Sequence, residues 1–161
     1  MNEIPHNPEV ERALLGSVLI NPQVFNEIDL PAEAFYLHRH RFVWSAFRRL
    51  KDSGRAIDYL TVCEVLQSDG KLAEVGGDYL IALLNDVPTS LNADEYAGMV
   101  REQYTRRLLL NAANEIARLA YRQEQDTPVL LNNAQTAIQT VLTQSADSDS
   151  FTDLVDAASD L

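Results

Sequence analysis

From Asn92 to Arg122 the chain contains no proline, and this stretch dictates much of what the rest can do. Asn92 followed by Glu95 resembles a helix-starting capping box, with Asn in place of the usual Ser or Thr. A helix over 92–122 is about 46 Å long at ~1.5 Å per residue. QEQD then makes a polar turn, and Thr127-Pro128 supplies a cap and a first-position proline for a second helix. That helix carries Leu130, Ala134, Ala137, Ile138, Val141 and Leu142 at helical spacing. Two long helices joined by a short turn form an antiparallel hairpin.

The first helix changes character along its length. Over 92–107 charges surround one stripe of Tyr96, Val100 and Tyr104, enough to lie against a globular head. Over RRLLLNAANEIARLAYR there are two apolar faces. Leu108, Ala112, Ile116 and Leu119 mark one; Leu109, Ala113, Ala117 and Tyr121 mark the other. The second hairpin helix covers only one of them, and a contiguous bare apolar face usually marks an interface. Ala112, Ala113, Ala117 and Ala120 permit close helix approach. The spacing therefore predicts oligomerisation through the hairpin, most simply two hairpins in a two-fold four-helix bundle. The expected interface set is Leu108, Leu109, Ala112, Ala113, Ile116, Ala117, Leu119, Ala120, Leu130, Ala134, Ala137, Ile138, Val141 and Leu142. The competing reading folds the head back over the second face.

Helix signals dominate the preceding residues. Asn7-Pro8 starts one helix with Val10, Ala13, Leu14 and Val18, and Asn21-Pro22 starts a short one with Val24, Phe25 and Ile28. Leu37, Val43, Trp44, Phe47 and Leu50 suit a helix ending near Ser53-Gly54, and Asp58 can cap the next. Trp44, Phe35, Phe42 and Phe47 are the expected core. The chain is thus read as all-α: a head of short helices over 1–91, a hairpin over 92–145, and an acidic linker with the start of a linker helix over 146–161. In that last segment Phe151, Leu154, Val155, Ala158 and Leu161 fall at helical spacing and call for a packing partner.

Charge and chemistry narrow the function. The net charge is −11, all 13 basic residues lie at or before Arg122, and seven acidic residues occupy the remaining 39 positions. Nucleic-acid binding by phosphate contacts needs clustered cations. The one basic group, Arg39, Arg41, Arg48, Arg49, Lys51 and Arg55, reads better as the solvated side of an amphipathic helix. No phosphate loop or dinucleotide fingerprint occurs. His38 and His40 point about 200° apart on a helix and cannot share a metal, so the histidines read as solvated or partly buried. Cys63 falls on an apolar stripe, and no carboxylate pair stands out by spacing. Nothing in these residues supports an enzyme. With no apolar run of the ~18 residues a membrane span needs, no signal-peptide layout and a single cysteine, the expectation is cytoplasmic.

Five phrases occurring in order carry a resemblance. They are IPHNPEVERALLGSVLINPQVF, FYLHRHRFVWSAFRRL, GRAIDYLTVCEVL, LAEVGGDYLIALLNDVPTSLNADEYAGMVRE and RRLLLNAANEIARLA. Together they resemble the N-terminal domain of the DnaB-type replicative DNA helicases over about residues 4–122, with the second hairpin helix matching by layout. The resemblance implies a homo-oligomer in which hairpins pair and three pairs form the collar of a hexameric ring. It implies docking of the primase C-terminal domain and, in some systems, of a helicase loader. It also implies that the acidic segment is the linker whose helix packs on a neighbouring motor domain. ATP and Mg belong to that motor domain, which is absent here, so no cofactor, ATPase or unwinding activity is expected of this chain. It reads as a fragment of the helicase, the alternative being a stand-alone, collar-like regulator that binds primase or mixes into helicase rings.

Overall fold

The first helix, the 3₁₀ turn after it and the helix opening at Tyr59 each begin where a side chain satisfies backbone N–H groups that the helix itself leaves open. In the computed structural model, which describes residues 2–87 and 89–145, α1 (Pro8–Ile20) starts with Pro8 in the first turn. Asn7 Oδ1 accepts from Val10 N at 3.2 Å. Asn21 in turn caps a 3₁₀ turn over Pro22–Glu27, accepting from Gln23 N at 3.3 Å. A second 3₁₀ turn, Ala32–Ala34, leads into α2 (His38–Asp52). α3 (Tyr59–Ser68) opens on a reciprocal box: Thr61 N donates to Asp58 Oδ1 at 2.9 Å, and Asp58 N to Thr61 Oγ1 at 3.0 Å. α4 (Leu72–Val75) and α5 (Gly77–Asp86) complete the head. Gly54 and Gly70, at φ +67° and +69°, follow α2 and α3 in the left-handed conformation that ends a helix at little cost only for glycine.

Among the described residues no strand occurs, and α1 packs on α2 and α5 while α2 packs on α3 and α4. Trp44 is the centre of the core. Phe25 and Phe35 have ring centroids 4.8 and 5.0 Å from it, and its indole N–H donates to Leu30 O at 2.8 Å. Phe47 closes the cluster 6.0 Å away. Two expectations need correction. Phe25 is buried and belongs to this core, whereas Phe42 is half-buried with the Lys71 ammonium 4.6 Å from its ring. Cys63 is likewise half-buried rather than part of the core.

α2 has no capping side chain of its own. Glu11, on α1, does that work. Its carboxylate accepts from Tyr36 N at 2.6 Å and Leu37 N at 3.4 Å, and lies 2.6 Å from His40 Nδ1. A carboxylate only accepts, so Nδ1–H donates to it, and Nε2 is left to accept from the Tyr79 hydroxyl, also 2.6 Å away. Glu11 is 2% and His40 0% exposed. The reading of all three histidines as solvated or partly buried therefore fails at His40. A buried imidazole is tolerable because both ring nitrogens have partners.

α6 (Ala93–Tyr121) and α7 (Thr127–Ser145) form the antiparallel hairpin. Leu130 N donates to Asp126 O, so Thr127 is already helical and Pro128 is the second residue of α7. Among the described residues, two compact units divide the chain inside α6: one holds His6–Gln103, the other Asn2–Pro5 and Tyr104–Ser145. In the first, Ala93, Ala97 and Val100 are buried; in the second, Arg107 donates to Pro5 O at 2.9 Å. The expected linker and linker helix, with Phe151, Leu154, Val155, Ala158 and Leu161, lie outside the described residues.

Two helical glycines give opposite expectations. A Cβ on Gly16 would collide with the Leu83 carbonyl and the Val87 side chain, while one on Gly98 meets nothing within 4 Å. Gly16→Ala should lower unfolding free energy by about 1–3 kcal/mol, and Gly98→Ala should raise it by about 0.5–1 kcal/mol, both read from urea melts. Glu11→Ala orphans two backbone donors and the His40 N–H, and should cost roughly 3 kcal/mol in the same assay.

Candidate assembly surface

The second half of α6 divides into three sectors when its residues are placed at about 100° per residue. Leu108, Ala112, Ile116 and Leu119 fall together and are buried or half-buried, Ala112 and Leu119 at 7% exposure. Leu109, Leu110, Ala113, Ala117, Ala120 and Tyr121 share an adjoining arc of about 120° and are all exposed. Asn111, Asn114, Arg118 and Arg122 fill the polar remainder. α7 repeats the scheme: Leu130, Ala134, Ala137 and Val141 turn inward, while Leu131, Ile138 and Leu142 line up at i, i+7 and i+11 and stay exposed.

Handedness places the two exposed stripes on one side. Viewed from the N-terminus of each helix, the exposed stripe lies clockwise of the inward one, by about 120° in α6 and about 90° in α7. The helices run antiparallel, so like rotations away from facing seams open onto the same side of the hairpin. The result is a broad apolar face: Leu109 and Leu110 are each 47% exposed, Leu131 66% and Tyr121 86%.

Of the residues expected at an interface, Leu108, Ala112, Ile116, Leu119, Leu130, Ala134, Ala137 and Val141 are the buried or half-buried ones, on the inward stripes of α6 and α7. Leu109, Ala113, Ala117, Ala120, Ile138 and Leu142 lie on the bare face. Sequence reasoning passed over Leu110 and Leu131, although the Leu131–Ile138–Leu142 row was detectable as a second helical stripe.

The basic group on and just after α2 is drawn into the head's own contacts. Arg41 donates to Phe35 O at 2.6 Å and Arg48 to Leu30 O at 3.1 Å; Arg49 pairs with Asp69, and Arg55 with Glu64 at 2.7 Å. Lys51 lies 5.4 Å from the Phe25 ring, and Arg39 stacks 3.7 Å from the Tyr79 ring. Burial raises the Tyr79 hydroxyl pKa, opposed by Arg39 and Arg12, so the phenol keeps the proton it donates to His40. A cleft of about 590 Å³ beside α2 sets Glu33 and Asp52 against Arg48 and Arg49, leaving no net charge to attract phosphates. Among the described residues no three His, Cys, Asp or Glu side chains gather as a metal site, and no helix is long and apolar enough to cross a membrane.

Comparison with known proteins bears on this architecture. The family model described as the DnaB-like helicase N terminal domain matches residues 3–102. The replicative DNA helicase DnaB of a Nostoc species is 38% identical over 134 residues, 81% of this chain and 15% of the relative. That of Geobacillus stearothermophilus is 36% identical over 141 residues, 85% of this chain and 31% of the relative. The chain thus spans under a third of the length of these helicases. The crystal structure of the N-terminal domain of DnaB helicase from Mycobacterium tuberculosis superposes with a TM-score of 0.80 at 28% identity, covering 86% of this chain and 99% of that one. A solved DnaB-like replicative helicase, studied with its interactions with primase, shares the fold at a TM-score of 0.68 and 22% identity over 81% of this chain and 31% of its own. With the head matched by the family model and the head and hairpin together matched by the solved domain, this chain belongs to the DnaB-like helicase N-terminal domain family.

Proposed function

We propose that this chain is the collar portion of a replicative DNA helicase, a self-associating scaffold that docks primase during DNA replication. The observation that carries this reading is the double apolar stripe on one side of the hairpin. An exposed face of that kind is rare on a protein that stays single, and a two-fold axis through it pairs identical stripes with each other. Ala113, Ala117 and Ala120 lie in its middle, where small side chains allow helix axes to approach, and Leu109, Leu131 and Tyr121 supply the area to bury. Pairs then assemble in threes to form the collar.

The helicase studied with its interactions with primase supports the choice of partner, since it shares this fold. On this reading the primase C-terminal domain docks on the assembled collar, and helicase loaders use the same platform in some systems. ATP, Mg and unwinding belong to the remainder of the helicase, so the chain itself hydrolyses no nucleotide. Its place of work is the cytoplasm, where the chromosome is copied, and it binds DNA only through the larger assembly.

Size-exclusion chromatography with light scattering should give at least a dimer mass at high micromolar concentration. Leu109→Asp and Leu131→Asp, each placing a charge on the bare face, should give a monomer with an unchanged far-UV circular dichroism spectrum. A parent chain that stays monomeric, or variants that keep the parent's mass, would sink the pairing. Titration calorimetry with a purified primase C-terminal domain should show saturable binding to the parent chain, weakened at least tenfold by Leu131→Asp if docking needs the assembled collar. Binding of equal strength to both forms would separate docking from assembly.

A further inference from the structure

The paired face is almost without charge in a chain that is otherwise strongly acidic. α7 carries no charged side chain from Thr127 to Ser145. Between Leu108 and Ser145 the charged residues are Glu115, Arg118, Arg122, Glu124 and Asp126, three acids against two bases, so this segment holds −1 of the net −11. Glu115 and Arg118 pair with each other, off the apolar stripes. The hydroxyls of Thr136, Thr140 and Thr143 donate back to the carbonyls of Asn132, Thr136 and Gln139 at 3.0, 2.9 and 3.0 Å. These threonines lie about 120–180° around α7 from the Leu131–Ile138–Leu142 row, so they stand outside the bare apolar face.

Two copies that approach through such a face gain no ion pairs, yet they bring two bodies of charge −11 together. Repulsion between them reaches over about 20–30 Å in dilute salt and about 8 Å at physiological ionic strength. We infer that ionic strength regulates hairpin pairing with the sign opposite to an ion-paired or nucleic-acid interface: added salt tightens it. The occupant of the face is a second copy of this chain, and the inference rests on the pairing proposed above. Ionic strength then acts through net charge carried almost wholly outside the contact.

Sedimentation equilibrium of the chain tests this. The association constant should rise about three- to tenfold between roughly 0.02 M and 0.2 M NaCl and then level off, because screening saturates. A continued rise to molar salt would instead be the salting-out of apolar surface and would overturn the electrostatic assignment. Glu27→Gln with Glu33→Gln removes two exposed acids from the head, outside the Leu108–Ser145 segment. Repulsion scales with the square of net charge, so this double variant should lose roughly a third of the salt response and converge on the parent at high salt. Association that weakens as salt rises overturns the inference while leaving pairing intact. A monomer at every salt and protein concentration overturns pairing itself.

Discussion

The carboxylate of Glu11 organises the head. It leaves α1 to meet the backbone N–H groups of Tyr36 and Leu37 at the start of α2, and it receives the His40 N–H beside them. Tyr79 on α5 closes the chain of hydrogen bonds from the other side of the imidazole. Three helices are thus tied by groups that are each costly to bury alone and are stable only together. The positive end of α2 also favours an anion at that place. Around this tie the aromatic cluster of Trp44, Phe25, Phe35 and Phe47 fills the volume, and the bonded polar groups fix which helix faces which.

The hairpin is organised by a different principle. Its seam is made of small and aliphatic side chains, with Ala112, Leu119 and Val141 the most enclosed. It presents two apolar stripes per helix where a solitary hairpin needs one. The surplus is the observation behind the pairing proposed above, and it carries almost no charge in an otherwise acidic chain. Head and hairpin are thus built by opposite means: buried polar connections in the one, uncharged apolar area in the other.

Much of the architecture was legible from local signals. Asn7, Asn21 and Asp58 announce helix starts because a short polar side chain before an apolar series has few other uses. Both long helices follow from spacing and from proline placement, and the two-faced character of Leu108–Tyr121 is visible in the order of residues alone. Less legible were the buried polar partners. Glu11 precedes Leu14, Leu15 and Val18 at helical spacing, and His40 precedes Val43, Trp44 and Phe47 in the same way. A charged or titratable residue on an otherwise apolar stripe was the available sign, but spacing cannot say which distant group will meet it.

The sequence by itself determined the helical class, the boundaries of most elements, the family through five ordered phrases, and the surplus of apolar surface on the hairpin. These depend on neighbours three or four residues apart, and periodicity records such neighbours directly. Tertiary structure alone decided that Glu11 caps a helix 25 residues away, that Phe25 rather than Phe42 joins the core, and which hairpin stripe is used internally. It also decided that the exposed stripes of α6 and α7 share one side, because that follows from two antiparallel helices rotating the same way from a common seam. A one-dimensional pattern contains each rotation, and only their packing relates the two.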